Sequence, residues 1–418
     1  MNVEIVTIGN EVLSGRTLDT NFAFLARLLE EASVVVAWHS TVGDTQERIA
    51  EGLKRALSRA DAVVMTGGLG PTPDDVTRKA VATVLGRPLQ FDEAVRASIR
   101  ERGRKHGRTL PATVETMALI PRGAEVWVNP VGAAPGLLMI QRGKPVILLP
   151  GVPGEIEALA REHVVPYLRG QSGRSIESFT LRTYGSYESQ LHEKIGALPD
   201  AWPGASFAYL PSYFGVDLRV TVTGANATAV RDTSLRAYNE LMARVGAVVY
   251  AEGGTSMEEV LGEILAGKEW RIATAESCTG GLLAKRLTDV PGSSRYVERG
   301  YVTYSNDAKL SLLGVDPSTL EAQGAVSAAV AEQMARGARE REGVEVGVGI
   351  TGIAGPDGGS DEKPIGLVFV AGSSPLGEFV RLLRFPGSRA TVRERAAQTA
   401  MDLLRRHLLE LPVDASLD

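Results

Sequence analysis

Ala62-Val63-Val64-Met65-Thr66-Gly67-Gly68-Leu69-Gly70-Pro71-Thr72-Pro73-Asp74-Asp75 passes from a short apolar run into a loop of glycine, proline and aspartate. An unbroken apolar run bounded by glycine reads as a strand buried on both faces, the kind found in parallel sheets covered by helices. The flanks carry the same texture. Val3–Ile8 is a second apolar run ending at Gly9, and Asn21–Glu31 has helical spacing through Phe22, Leu25, Leu28 and Leu29. Val34–Val42 reads as a strand and Gln46–Leu57 as a helix, and a further helix is expected to start near Asp74. Gly136–Leu149 reads as a hairpin turning at Arg142-Gly143-Lys144, and Pro150–Leu168 as a closing helix. This strand–helix alternation predicts an α/β domain over 1–170 with a parallel-rich sheet.

At roughly 150 residues per domain, a chain of 418 suggests about three domains. Arg169–Ser175 and Ala251–Thr255 read as linkers, which places boundaries at 171–252 and 253–418. The middle segment predicts a small α+β module: strand Phe179–Tyr184, helix Glu188–Ile195, an antiparallel pair Phe207–Leu210 and Asp217–Val222, helix Ala229–Val245 and strand Ala247–Tyr250. The last segment alternates again. Its strands are expected at Arg271–Thr274, Tyr296–Tyr304, Val344–Ile350, Ile365–Ala371 and Glu378–Phe385. Its helices are expected at Gly280–Thr288, Asp307–Leu313, Ser327–Arg341 and Ala390–Leu409.

Composition narrows the function classes. Hydrophobic residues make up 44 % and charged residues 23 %, ordinary for globular chains and unlike disordered or fibrous ones. The single cysteine, Cys278, cannot form an internal disulfide, and no apolar run reaches the roughly 20 residues of a membrane span. The start MNVEIVTIG has no signal-peptide pattern, so a cytoplasmic location is expected. Five scattered histidines (His39, His106, His163, His192, His407) form no zinc spacing. A net charge of −5 argues against general nucleic-acid binding.

Loops at the carboxyl ends of parallel strands are where open α/β sheets bind ligands. In the first domain these are Ile8-Gly9-Asn10-Glu11 and Thr66–Asp75. The glycine loop running into a helix predicts N–H groups that hold a phosphate. Asp74 and Asp75 read either as helix caps or, with Glu11, as holders of a divalent cation on a diphosphate. In the last domain, four small-residue loops follow strands: Thr274–Gly281, Pro291–Ser294, Tyr301–Lys309 and Thr351–Gly359. Their reagents are serine, tyrosine, lysine and arginine, with no histidine nearby. That set suits amide hydrolysis by a serine with a lysine or tyrosine base, with Cys278 as the rival nucleophile. Taken alone, each has a blander reading: Cys278 as a small buried residue, Lys309 as a solvated one, Asn306 as a helix cap.

The motifs TIGNEVLSGRTLDTN, TGGLGPTPDDVT and LLPGVPGE resemble the molybdopterin-binding-like fold in the version found in the CinA (competence/damage-inducible) family. TAESCTGG, PGSS, YVTYSNDAK and GITGIAGPDGG are similar to the nicotinamide-nucleotide deamidase half of the same family. The middle module resembles a KH domain in element order but lacks its GXXG loop, and RNA binding is not expected of it. The resemblance implies two α/β domains joined by a KH-like module. For the first domain it implies a metal-dependent ADP-ribose pyrophosphatase using magnesium or cobalt, with potassium. Its site would comprise Asn10, Glu11, Asp19, Asn21, Gly67, Gly68, Gly70, Thr72, Pro150, Gly151 and Glu155, with Asp74, Asp75 and Glu11 on the metal.

For the last domain the resemblance implies hydrolysis of nicotinamide mononucleotide to nicotinic acid mononucleotide and ammonia, without a cofactor. The residues it brings are Ser277, Ser294, Tyr304, Lys309 and Thr351, with Arg389 or Arg393 on the phosphate. In our assignment Ser294 attacks the carboxamide, Lys309 and Tyr304 handle protons, and Ser277 with the Cys278-Thr279-Gly280-Gly281 turn holds the oxyanion or phosphate. The two serines can exchange roles. Asn306, Gly352 and Gly355 complete the expected substrate contacts. The resemblance also points to a homodimer acting on small nucleotides. The competing expectations are a pterin-binding protein of molybdenum-cofactor type and a non-enzymatic partner in DNA uptake.

Overall fold

The computed structural model describes residues 1–105, 111–173, 175–202 and 204–413; His106 lies outside them. The chain divides into two compact units, Met1–Ser178 with Thr221–Ser234, and Phe179–Val220 with Leu235–Asp418. Among the described residues no helix is long and apolar enough to cross a membrane.

The first unit is built on β1 (Asn2–Ile8), β2 (Val35–Val42), β3 (Ala62–Thr66), β6 (Glu125–Trp127), β7 (Gly136–Gln141) and β8 (Lys144–Leu149), in the order β2-β1-β3-β8-β7-β6. The first four in that order run parallel, and β7 and β6 return antiparallel. Side chains alternate across each strand, and β3 shows the consequence. Val63 and Met65 pack with Ile49, Leu53, Ala80 and Val81 on one face. Val64 packs with Leu25, Leu29, Ile156 and Leu159 on the other. Every residue of β3 is buried, as the apolar run predicts.

Between β3 and β6 lies a part that the periodicity leaves unread. Two three-residue strands, β4 (Leu89–Phe91) and β5 (Leu119–Pro121), pair antiparallel, and a helix spans Glu93–Lys105. The helix expected near Asp74 starts at Thr77 instead, because the Thr72–Asp75 turn closes on itself first. The closing helical run extends to Ser172 and the next strand begins at Ser175, so the expected 169–175 linker is folded into elements on both sides.

The middle segment carries a four-stranded sheet of β9 (Ser175–Thr183), β10 (Ala205–Ser212), β11 (Gly215–Gly224) and β12 (Val249–Glu252), in the order β10-β11-β9-β12, with helices Glu188–Ile195 and Ala227–Val245. In the second unit, β13 (Ile272–Glu276), β14 (Val297–Val302) and β15 (Val346–Gly352) are parallel, while β16 (Leu367–Ser374) and β17 (Gly377–Arg384) run antiparallel. The sheet order is β14-β13-β15-β16-β17. Two helices there are additional to the sequence reading, Met257–Gly267 and Pro317–Gln323. The first is capped by a reciprocal Ser256–Glu259 box and packs Leu261 and Leu265 into the core.

Candidate functional sites

In the second unit the parallel strands β13, β14 and β15 deliver their carboxyl-end loops to one edge of the sheet. Ser277 N–H donates to the Ile350 carbonyl at 2.9 Å and Thr303 N–H to the Glu276 carbonyl at 2.9 Å, which fixes the three loops against one another. Into this junction the helix Asn306–Leu313 sends Lys309, which is 1 % exposed and among the largest fully buried side chains of the protein. Its Nζ donates to Ser277 Oγ at 3.3 Å, to the Thr303 carbonyl at 2.7 Å and to the Tyr304 carbonyl at 3.4 Å. Burial lowers the Lys309 pKa below the ordinary lysine value, which favours the neutral amine. A lysine whose pKa is lowered beside a serine hydroxyl has the geometry that general-base chemistry requires.

The geometry selects between the two serines. Ser277 sits on Lys309, whereas Ser294, exposed in the short helical turn Ser293–Arg295, meets no hydrogen-bond partner among the described residues. Cys278 is buried and its thiol is pushed up to about 12 by desolvation, so it is no thiolate at neutral pH. Tyr304 meets Lys309 through its carbonyl; its hydroxyl is turned to Arg389 Nη2 at 3.1 Å, and the ring is 60 % exposed.

Two expectations about this site are corrected. Of the turn 278–281, expected to offer its N–H groups to an anion, Gly281 N–H is already taken, because Glu276 occupies the start of the helix that follows. Its buried carboxylate accepts from the N–H groups of Gly281 (3.1 Å), Leu283 (3.0 Å) and Ala284 (2.8 Å). The side-chain oxygens there satisfy orphan donors of the helix start. Asn306 is not the cap of its helix, because Ser305 Oγ accepts from Ala308 N–H while Asn306 stands exposed at the first turn.

The remaining expected contacts divide by role. Arg393 clamps the Thr279 carbonyl with Nε and Nη2 (3.1 and 2.7 Å), a brace for the nucleophile turn. Arg389 is exposed and spans the Gly355 carbonyl (3.0 Å) and Tyr304 Oη, which leaves it the better placed of the two arginines to meet a phosphate. Thr351 turns inward, its hydroxyl donating to the Ala325 carbonyl at 2.8 Å, so it supports the loop. A Cβ at Gly352 would lie 2.7 Å from the Leu367 carbonyl oxygen, which explains glycine at that strand end. Glu276→Gln replaces one acceptor by a donor facing N–H groups. The expected result is a kcat about 10- to 100-fold lower with KM little changed, since Ser277 loses its register while Arg389 does not. Steady-state kinetics read this split, and an unchanged kcat refutes the positioning role of Glu276.

In the first unit the carboxyl ends of β1, β3 and β8 are neighbours in the sheet and bring together Gly9–Glu11, Gly67–Gly70 and Pro150-Gly151. Gly67 and Gly68 have φ of 102° and 65°, and a Cβ at Gly67 would collide with the Ile8 carbonyl oxygen. Gly70 is pressed against the Asp75 carboxylate. Behind the loop lies a residue the sequence reading missed. Arg78 is buried and donates to the carbonyls of Leu69 and Gly70, so that the loop's carbonyls face the protein. The N–H groups of Gly68, Leu69 and Gly70 find no acceptor among the described residues, and oriented amides of this kind favour an anion.

Several expected ligands have structural work instead. Asp19 Oδ1 caps the helix Thr20–Glu31 by accepting from Phe22 N–H at 2.9 Å, and its other oxygen lies 3.2 Å from His39 Nε2. Asn21 Nδ2 donates to the Gly151 carbonyl at 2.8 Å. Asn10 donates to Asp44. Glu155 accepts from buried Asn129 at 3.0 Å, and burial raises its pKa. The expected metal triad is not assembled. Glu11 folds back over Gly9, Asp75 accepts from Thr72 N–H and its hydroxyl, and Asp74 is exposed. Neither acid caps the following helix. No group of three or more Asp, Glu, His or Cys able to hold a metal occurs among the described residues, so these residues do not by themselves fit the implied cation.

A molybdopterin-type sheet in the first unit, and in the second a Ser–Lys pair at a parallel-sheet edge, define a multidomain α/β protein with two separate loop-built sites. Family models match in the same order: the probable molybdopterin binding domain over 4–170, the damage-inducible protein CinA KH domain over 178–251 and the CinA C-terminal domain over 254–408. The chain is 43 % identical over 413 residues to a CinA-like protein of Gemmatimonas aurantiaca, covering 97 % of this chain and 96 % of that one. It is 41 % identical over 411 residues to a putative competence-damage inducible protein of Acetivibrio thermocellus, covering 98 % and 100 %. Among solved structures, the protein CinA with unknown function from Thermoplasma acidophilum shares 42 % identity over 38 % of this chain and 94 % of its own, with a TM-score of 0.36. The chain belongs to the CinA family.

Proposed function

We propose that the second unit hydrolyses the carboxamide of nicotinamide mononucleotide. The observation that carries this reading is the buried Lys309 amine on Ser277 Oγ, a nucleophile and base with no histidine between them. Ser277 Oγ attacks the carboxamide carbon as its proton passes to Lys309; the C–N bond then breaks, and Lys309 returns the proton to the departing ammonia. Water, deprotonated by the same lysine, attacks the acyl-serine and releases nicotinic acid mononucleotide and the free serine. Arg389 supplies a cation for the substrate phosphate.

For the first unit the reading is a diphosphate site on the Gly68–Gly70 amides, with ADP-ribose cleaved to AMP and ribose 5-phosphate. Because the acids do not form a cation cage, no catalytic step is assigned through a metal. Both reactions process fragments of a pyridine dinucleotide, which gives the fusion a common substrate class. The test is ammonia release from nicotinamide mononucleotide by purified full-length protein, with and without a chelator. Chelator-insensitive release is expected; absence of release in both arms overturns the amidase reading. AMP release from ADP-ribose, assayed in parallel, decides the first unit separately.

A further inference from the structure

A cavity of about 1310 Å³ in the second unit lies away from the Ser–Lys pair: Ser277, Tyr304, Lys309 and Arg389 are not among its walls. One side comes from the middle module and the other from the end of β17 and the helix Arg389–Leu408. Buried contacts fix the two sides relative to each other. Tyr184 and Thr399 share a hydroxyl hydrogen bond of 2.6 Å, Gln398 donates to the Phe214 carbonyl at 3.2 Å, and the Arg286 guanidinium lies 4.9 Å from the centre of the Phe214 ring.

The lining chemistry is specific. Tyr187, His192, Tyr209 and Tyr213 present flat rings, with Tyr187 and Tyr213 exposed. Opposite them, Arg384 and Arg395 line the cavity with no hydrogen-bond or ion-pair partner among the described residues, and the one carboxylate in the wall is Glu188. Rings that stack on planar groups, facing guanidinium forks that pair with phosphate oxygens, select a ligand with both features. The volume exceeds the roughly 300–1,000 Å³ typical of drug-sized ligands. We propose that this cavity is a second nucleotide-binding site, with bases on the tyrosine wall and phosphates on Arg384 and Arg395. It goes beyond the amidase reading and does not depend on it. A ligand here would also touch Phe385 and Pro386, three residues before Arg389.

The test is hydrogen exchange and equilibrium titration of the full chain with two probes, oxidised nicotinamide adenine dinucleotide and a ten-residue single-stranded oligodeoxythymidine. These separate a free dinucleotide from a strand end as the source of the same chemistry. Saturable protection of 187–192 and 381–386 by either probe is expected. Its affinity should fall at least tenfold in the Arg384→Ser/Arg395→Ser double variant and in Tyr213→Ala, while ammonia release without either probe stays at the wild-type rate. Tyr213 is exposed, so its variant keeps the test decisive if the arginine variant folds poorly. Protection confined to the catalytic loops, or equal affinity in both variants, overturns the proposal.

Discussion

Under the proposed function, Ser277→Ala and Lys309→Met are each expected to lower the rate of nicotinamide mononucleotide deamidation by about a thousandfold or more, whereas Ser294→Ala is expected to retain at least about a tenth of it. The asymmetry follows from the 3.3 Å Lys309–Ser277 contact and from the lack of any such partner for Ser294. Single-turnover ammonia release is the measurement. Wild-type kcat is expected to rise with pH as Lys309 loses its proton, below the ordinary lysine pKa because burial lowers it. The rise disappears in Lys309→Met, leaving a low, flat profile. If Ser294→Ala is the inactive variant and Ser277→Ala turns over, the nucleophile is Ser294, and Ser277 is a hydrogen-bonding residue held on Lys309.

The second large effect concerns stability. Asp402→Ala is expected to cost about 3–5 kcal/mol, read as a drop in the urea midpoint and of roughly 10 °C in Tm. Asp402 is fully buried in the helix Arg389–Leu408, and its two oxygens hold Arg405 at 2.8 Å and Arg406 at 2.7 Å, themselves nearly buried. Removing the carboxylate takes from the buried Arg405 the oxygen that both Nε and Nη2 hold, and from Arg406 one of its partners, in the core around Met401, Leu404 and Leu408. The same helix begins at Arg389 and carries Arg393, so loss of its packing should lower deamidase activity at temperatures below the unfolding transition. A stability change under about 1 kcal/mol would show that water reaches these arginines.

The strands were legible because each buries one or both faces, and a buried face is written into the periodicity of side chains. Ala62–Thr66 and Glu188–Ile195 are found with the same bounds in the structure, and most other expected elements differ by a residue or two at their ends. Short elements without a periodic face escaped, such as β4, β5 and Pro317–Gln323, since three or seven residues offer no period to count. Ser256-x-x-Glu259 was an available signal for the helix Met257–Gly267, a capping box that follows directly on the expected 251–255 linker.

By itself the sequence determined which loops follow the parallel strands, because glycine and small polar residues after apolar strands are a local pattern. It also narrowed the expected reagents of the second site to serine, lysine and tyrosine, with Cys278 as the rival nucleophile and no histidine in those loops. Only the tertiary structure decided how those groups are used. Lys309 has the spacing of a surface residue, yet the loops after β13 and β14 close over it, and that burial lowers its pKa. Glu276 looks like one more acid in a motif until the turn folds three amide donors onto it. Arg78 and Asp402 likewise acquire their roles from carbonyls and guanidiniums that meet them through the fold. Local pattern records what a residue is; burial and partners set its charge state and reach, and both arise only when distant segments pack together.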